Sequence, residues 1–166
     1  TTPQSFIMNG NKVVTATFTK LPQTITLRPN AIGSTTELSR NGGSANYYRV
    51  NETTLDGNST YVWDNTGGNW DTDTYGTENS ADLGTINSDT VYSKCRRYIT
   101  GSSSASSYSR TAIRVDGSNY FGAVNDMGDS YTDYSTMYTT KPGGGSWTWK
   151  DINNLQNGLD LVMKLR

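Results

Sequence analysis

The stretch Tyr108-Ser109-Arg110-Thr111-Ala112-Ile113-Arg114-Val115-Asp116-Gly117-Ser118-Asn119-Tyr120-Phe121 decides the fold class. Period-two alternation runs over Tyr108–Val115 and returns over Asn119–Val124, with Asp116-Gly117 between them at two-residue hairpin spacing. An Asp-Gly pair accepts the positive φ angles that a tight antiparallel hairpin demands. The same alternation recurs at Lys12–Phe18, Thr24–Arg28, Asn46–Val50, Ser59–Trp63, Thr90–Ile99, Tyr131–Tyr138 and Leu159–Leu165. Turn residues punctuate these runs at Asn9-Gly10, Asn41-Gly42-Gly43, Asp56-Gly57, Gly67-Gly68, Gly101 and Gly143-Gly144-Gly145. Nine short strands joined by turns predict an all-β protein, an antiparallel jelly-roll β-sandwich.

Composition agrees. The chain has 166 residues, enough for one domain. Thr, Ser, Asn and Gly supply 76 of them and the hydrophobic fraction is 33%, a mixture poor in helix formers and rich in turn formers. With no histidine in the chain, Ser-His-Asp and Cys-His nucleophile systems and imidazole metal sites are excluded. A single cysteine, Cys95, excludes an internal disulfide and a thiolate zinc cluster; in an alternating strand it reads as a small buried apolar residue. No apolar run approaches the roughly 20 residues of a membrane helix, so no membrane insertion is expected. The opening Thr1-Thr2-Pro3-Gln4 carries neither a leader pattern nor an initiating Met, which reads as a processed product or a piece of a longer chain.

The net charge of −1 hides segregation. Residues 51–90 carry eight acids and no base, residues 91–114 five bases and no acid, and residues 115–135 four acids and no base. Nucleic-acid binders show a net basic footprint, and none is present. Blocks of opposite sign are expected to pair across neighbouring strands, or else to drive head-to-tail association of a molecule with two unlike ends.

One stretch departs from alternation. In Trp147–Gly158 apolar residues fall at 149, 152 and 155, which predicts a short helix over 148–157. Thr148 is its N-cap, Asp151 its third helical residue and Gly158 its stop. It is expected to plug one end of the sandwich. Residues 64–89 are acidic and rich in Gly, Asn and Thr and read as a long functional loop. Gly101–Ser107 reads as a second, Ser-rich loop.

The run Ile25-Thr26-Leu27-Arg28-Pro29-Asn30, with Gly33 after it, and the run Trp147-Thr148-Trp149-x-x-Ile152-x-x-Leu155-Gln156-x-Gly158 resemble motifs of jelly-roll domains on viral virion proteins and archaeal or bacterial surface proteins. The resemblance spans about residues 23–160 and implies no catalytic residues. Upstream, Ser5–Phe18 is similar to the last strands of a bacterial surface repeat of the internalin B-repeat type. The pair implies an N-terminal strand or extension at residues 1–20 and a jelly-roll domain at 21–166. Jelly rolls of this kind add a further closing strand after the helix, and here there is room for only one strand after Gly158. A missing closing strand implies an open sheet edge or groove, filled by Lys12–Phe18 of the same molecule or of a neighbour. Val13, Val14, Ala16 and Phe18 are the residues of this assembly strand.

Candidate ligand residues lie mainly in the acidic stretch. Asp64, Asp71, Asp73 and Glu78 offer hard oxygen donors for calcium, with Asp126, Asp129 and Asp133 a weaker set. Trp63, Trp70 and Tyr75, with Tyr92 nearby, offer a stacking platform for glycans. Asn51-Glu52-Thr53 and Asn58-Ser59-Thr60 match the glycosylation triplet, and nothing singles out the carboxylate pair of a glycosidase. The expected function is a non-enzymatic extracellular structural or adhesive subunit of a cell-surface assembly. Its partners are other copies of itself, and a filament built by donor-strand exchange is one outcome. The alternatives are a carbohydrate-binding module and a viral fibre or spike domain.

Overall fold

The structure is a computed structural model, and it describes residues 9–11, 13, 15, 17, 21–64, 66–98 and 105–164. Ten strands and one helix follow in chain order: β1 (Pro29–Thr36), β2 (Ser39–Arg40), β3 (Val62–Trp63), β4 (Asp71–Thr77), β5 (Asp89–Cys95), β6 (Ser106–Val115), β7 (Ser118–Phe121), β8 (Asn125–Asp126), β9 (Thr132–Tyr138), α1 (Trp149–Asn154) and β10 (Gln156–Lys164). The fold is all-β and antiparallel, in the manner of a sandwich. One sheet runs β1-β4-β10-β6-β7 with β8 also on β6, and β5-β9 and β2-β3 form two-stranded ribbons.

The hairpin forms as its residues dictate. Val115 pairs with Ser118 across Asp116-Gly117, whose φ angles are 49° and 82°, the left-handed pair of a two-residue turn. Beyond it, β6 pairs with β10 along the whole of the latter, from Gln156↔Arg114 to Lys164↔Ser106.

Two apolar clusters lie between the large sheet and the β5-β9 ribbon. In one, Tyr75, Leu159 and Leu161 of the sheet meet Cys95 of β5, with Tyr134 of β9 packed against them. In the other, Ile113 and Val115 of β6 meet Val91 of β5, and Trp147, Ile152 and Leu155 close the end. The short helix thus caps one end of the core. Its N-terminus is a full capping box, Thr148 accepting from Asp151 N–H while the Asp151 carboxylate accepts from Thr148 N–H.

The charge blocks pair as expected. Lys94 on β5 meets Asp133 on β9 at 2.7 Å, and Arg97 meets Asp129 at 2.9 Å, joining the basic 91–114 block to the acidic 115–135 block.

Several expectations need correction. Residues 64–89 are not one long loop, because they contain β4, paired on one side with β1 and on the other with β10. Its sequence is polar, yet Thr72, Asp73 and Thr74 are buried, their side chains satisfied inside the fold. Asn46–Arg49 is a turn of 3-10 helix rather than a strand, since the Asn46 amide donates inward to Leu38 C=O and Asp73. Thr24–Arg28 has no strand, and the first strand among the described residues begins at Pro29. Of Ser59–Trp63 only Val62–Trp63 pairs. The helix stops at Asn154, with Leu155 extended as its C-cap, and Gly158 lies within β10. There its missing Cβ matters: one would sit 1.9 Å from the Asp73 carbonyl oxygen. The last strand is itself no sheet edge, because β10 is bonded to β4 on one side and β6 on the other.

Candidate functional site

The acidic residues read as calcium ligands are spent on the fold. Asp64 Oδ1 accepts from the N–H groups of Thr66 and Gly67 at 2.8 and 3.0 Å, and its Oδ2 accepts from Met163 N–H at 2.7 Å, tying a turn to β10. Asp71 Oδ2 accepts from the Thr66 hydroxyl, and Glu78 from Arg28 N–H. Asp73 is fully buried and takes the N–H groups of Glu37 and Leu38, the Asn46 amide and the Tyr75 hydroxyl. Among the described residues no group of three or more His, Cys, Asp or Glu is arranged to hold a metal ion. The three carboxylates therefore do not join Glu78 in a common shell, and main-chain and side-chain donors of the fold take the place the sequence suggested for calcium. Of the weaker set, Asp129 and Asp133 face cations instead; the Arg97 hydrogen bond holds the Asp129 carboxyl below its ordinary range.

The aromatic candidates go to three different places. Tyr75 is buried, 3% exposed, so it offers no platform; burial pushes its phenol up, with Asp73 adding to the effect. Trp70 lies half-buried against Arg110, whose guanidinium carbon stands 4.4 Å from the Trp70 ring and 4.0 Å from that of Phe121. Arg110 Nε donates to Asp160 at 2.6 Å, and Asp160 also accepts from Thr72 at 2.8 Å. Register sets Thr72, Asp160 and Arg110 side by side across β4, β10 and β6. Sequence reading missed Arg110, Phe121 and Asp160. The available signal was the alternation of β6, which sets Arg110 and Arg114 on one face, opposite Ile113 and Val115. The array is closed upon itself, cation matched by carboxylate.

Trp63 is different. On β3, with its ring 5.4 Å from that of Tyr61, it walls an open concavity of about 380 Å³ with Leu38, Ser39, Arg40, Gly42 and Gly43. Arg40 Nε donates to Gly43 C=O and its Nη1 to Asn46. The Arg49 guanidinium packs against Gly43, where a Cβ would lie 2.0 Å from its Nη2. A second cavity, lined by Ile32, Arg40, Tyr47 and Tyr75 among others, measures about 70 Å³, too small for a sugar ring.

The glycosylation candidates sit at the surface unequally. Asn58 is exposed, its Oδ1 accepting from Arg96 and from the Tyr131 hydroxyl, while Asn51 is half-buried. In the assembly segment, Val13 is 94% exposed and, like Thr15 and Thr17, belongs to no strand. Val14, Ala16 and Phe18 lie outside the described residues. The unpaired edges are elsewhere: β5 and β9 pair over seven positions, Asp89↔Tyr138 to Cys95↔Thr132, and with no other strand among the described residues. Comparison with protein-family models, with curated proteins and with solved structures finds no match.

Proposed function

We propose that the protein is a non-enzymatic structural or adhesive subunit of an extracellular, cell-surface assembly that joins copies of itself by strand addition. The observation that carries this reading is the imbalance of the two layers. A six-stranded sheet faces a ribbon of only two strands, so the smaller layer covers the core with a single strand pairing. Among the described residues neither long edge of the ribbon is paired with a further strand, which makes it a template for an incoming strand. Tyr92 and Met137 on this ribbon are 73% and 64% exposed, apolar surface that an added neighbour would help cover. The alternating segment Lys12–Phe18 of a second copy is the occupant, its described positions lying outside both sheets. Addition of one copy's leading segment to the next is heterologous and propagates into a filament unless it closes.

Light scattering and negative-stain imaging of the full chain test this, beside a chain lacking residues 1–20 and a Val13→Asp variant. The full chain is expected to form oligomers or fibres, the shortened chain folded monomers, and Val13→Asp weakened assemblies with an unchanged melting temperature. A full chain that stays monomeric, or a shortened chain that assembles equally well, removes the proposal.

A second reading, carbohydrate recognition, is supported by the concavity walled by Trp63. It needs no assembly and stands independently of strand addition.

A further inference from the structure

We infer that the Trp63 concavity recognises an acidic saccharide unit, one carrying a carboxylate or a sulfate; this deepens the carbohydrate reading and rests on it. The volume of about 380 Å³ falls within the roughly 300–1,000 Å³ of small-molecule sites. Trp63 supplies a flat apolar wall, extended by the Tyr61 ring at 5.4 Å, against which the C–H face of a sugar ring can pack.

The acidic preference comes from uncompensated charge. Arg40 lines the concavity and Arg49 stands behind its glycine loop, yet among the described residues neither forms an ion pair. Arg40 is held by Gly43 C=O and Asn46 through Nε and Nη1, so its plane is fixed while Nη2 has no protein partner among the described residues. Arg49 Nε is buried with no hydrogen-bond partner. A fixed guanidinium with the two N–H groups of Nη2 left over suits a planar or tetrahedral oxyanion. The Trp70–Arg110 array, by contrast, is neutralised by Asp160 at 2.6 Å and has no such capacity.

The loop geometry keeps the site open. Gly42 and Gly43 have φ of 73° and 69°, a region that disfavours other residues, and a Cβ on Gly42 would meet nothing within 4 Å. Ligand can therefore approach the main chain directly. Ser39, cross-strand from Trp63, adds a hydroxyl.

The test is calorimetric titration of the full chain with trigalacturonate, a sulfated heparin-type disaccharide and neutral galactotriose. At least one acidic probe is expected to bind about tenfold or more tighter than the neutral one, with an affinity that falls as salt rises. Trp63→Ala and Ser39→Glu, the latter placing a carboxylate in the concavity while keeping both arginines, should each weaken that binding about tenfold with melting temperature preserved. Carboxylate-only or sulfate-only binding identifies the source of the anion, and either supports the inference. Equal, Trp63-dependent binding of neutral and acidic probes overturns the acidic preference and leaves carbohydrate recognition standing. No binding by any probe overturns both. Binding untouched by the two variants overturns the location.

Discussion

Asn46 and Asp73, 27 residues apart in sequence, meet in the buried interior, where the Asn46 amide donates to Asp73 Oδ2 at 2.6 Å. Around this contact the strand β4, the 3-10 turn at Asn46–Arg49 and the segment entering β2 are locked together, since Asp73 Oδ1 also takes the N–H groups of Glu37 and Leu38 at 2.8 and 2.9 Å. A buried carboxylate surrounded by four donors is a hub, and its value lies in the donors it keeps satisfied.

Replacement of Asp73 by Ala strands those four donors. We expect a loss of about 3–5 kcal/mol in equilibrium urea unfolding, against about 1–3 kcal/mol for Asn46→Ala. A loss under about 1 kcal/mol for Asp73→Ala would mean the donors find other partners.

The Asp160–Arg110 pair gives a pH signature. Burial holds the Asp160 carboxyl above its ordinary value of 3.8, while the hydrogen bonds from Thr72 and Arg110 pull it back. The folded state thus holds the Asp160 proton more tightly than the unfolded chain. Its contribution to stability is most favourable at low pH and falls as pH rises from the ordinary carboxylate value through the folded one. Arg110→Gln removes the compensating cation and should cost about 2–4 kcal/mol near neutrality. That cost should shrink below about pH 4, where Asp160 is protonated in both proteins. Melting curves across this range check the sign; a pH-independent difference contradicts it.

Cys95 is expected to be inert in the folded protein. It is 8% exposed, and burial pushes its thiol up to about 11, with the neighbouring Ser93 and Ser109 hydroxyls acting in the opposite direction. At pH 8 a disulfide reagent such as Ellman's should react on the order of a hundredfold more slowly with native protein than with protein in urea. Equal rates would place the thiol at the surface.

Gly158→Ala is expected to be among the most damaging small substitutions. The new Cβ would lie 1.9 Å from Asp73 C=O and 3.0 Å from Thr74 Cα, so β4 and β10 must separate, at about 3 kcal/mol or more. Gly128→Ala, whose Cβ meets nothing within 4 Å, is the control and should change thermal stability by less than about 1 kcal/mol.

What was legible followed from local chemistry. The β6–β7 hairpin was readable because alternation and an Asp-Gly turn specify each other over fourteen adjacent residues. The helix start at Trp149 was readable because Thr148 and Asp151 form a capping box within one turn. Paired charge blocks were readable because sequence sign predicts cross-strand neighbours, as at Lys94 and Asp133. By contrast, Asp71–Thr77 looked like solvated loop, since nothing local distinguishes a buried Asp73 from an exposed one. Trp63, Trp70 and Tyr75 read as one platform with Trp70 at its centre, and three different environments separated them.

The sequence by itself determined the period of the strands, the places where the chain must turn, and the chemistries that a chain without histidine and with one cysteine must forgo. Only the tertiary structure decided which polar residues lie inside, that the last strand is central rather than at an edge, and that Trp63 shares a concavity with Arg40. Alternation and turn propensity act between adjacent residues, whereas burial and the pairing of polar groups depend on partners far apart in the chain, 27 positions for Asn46 and Asp73 and 99 for Asp64 and Met163.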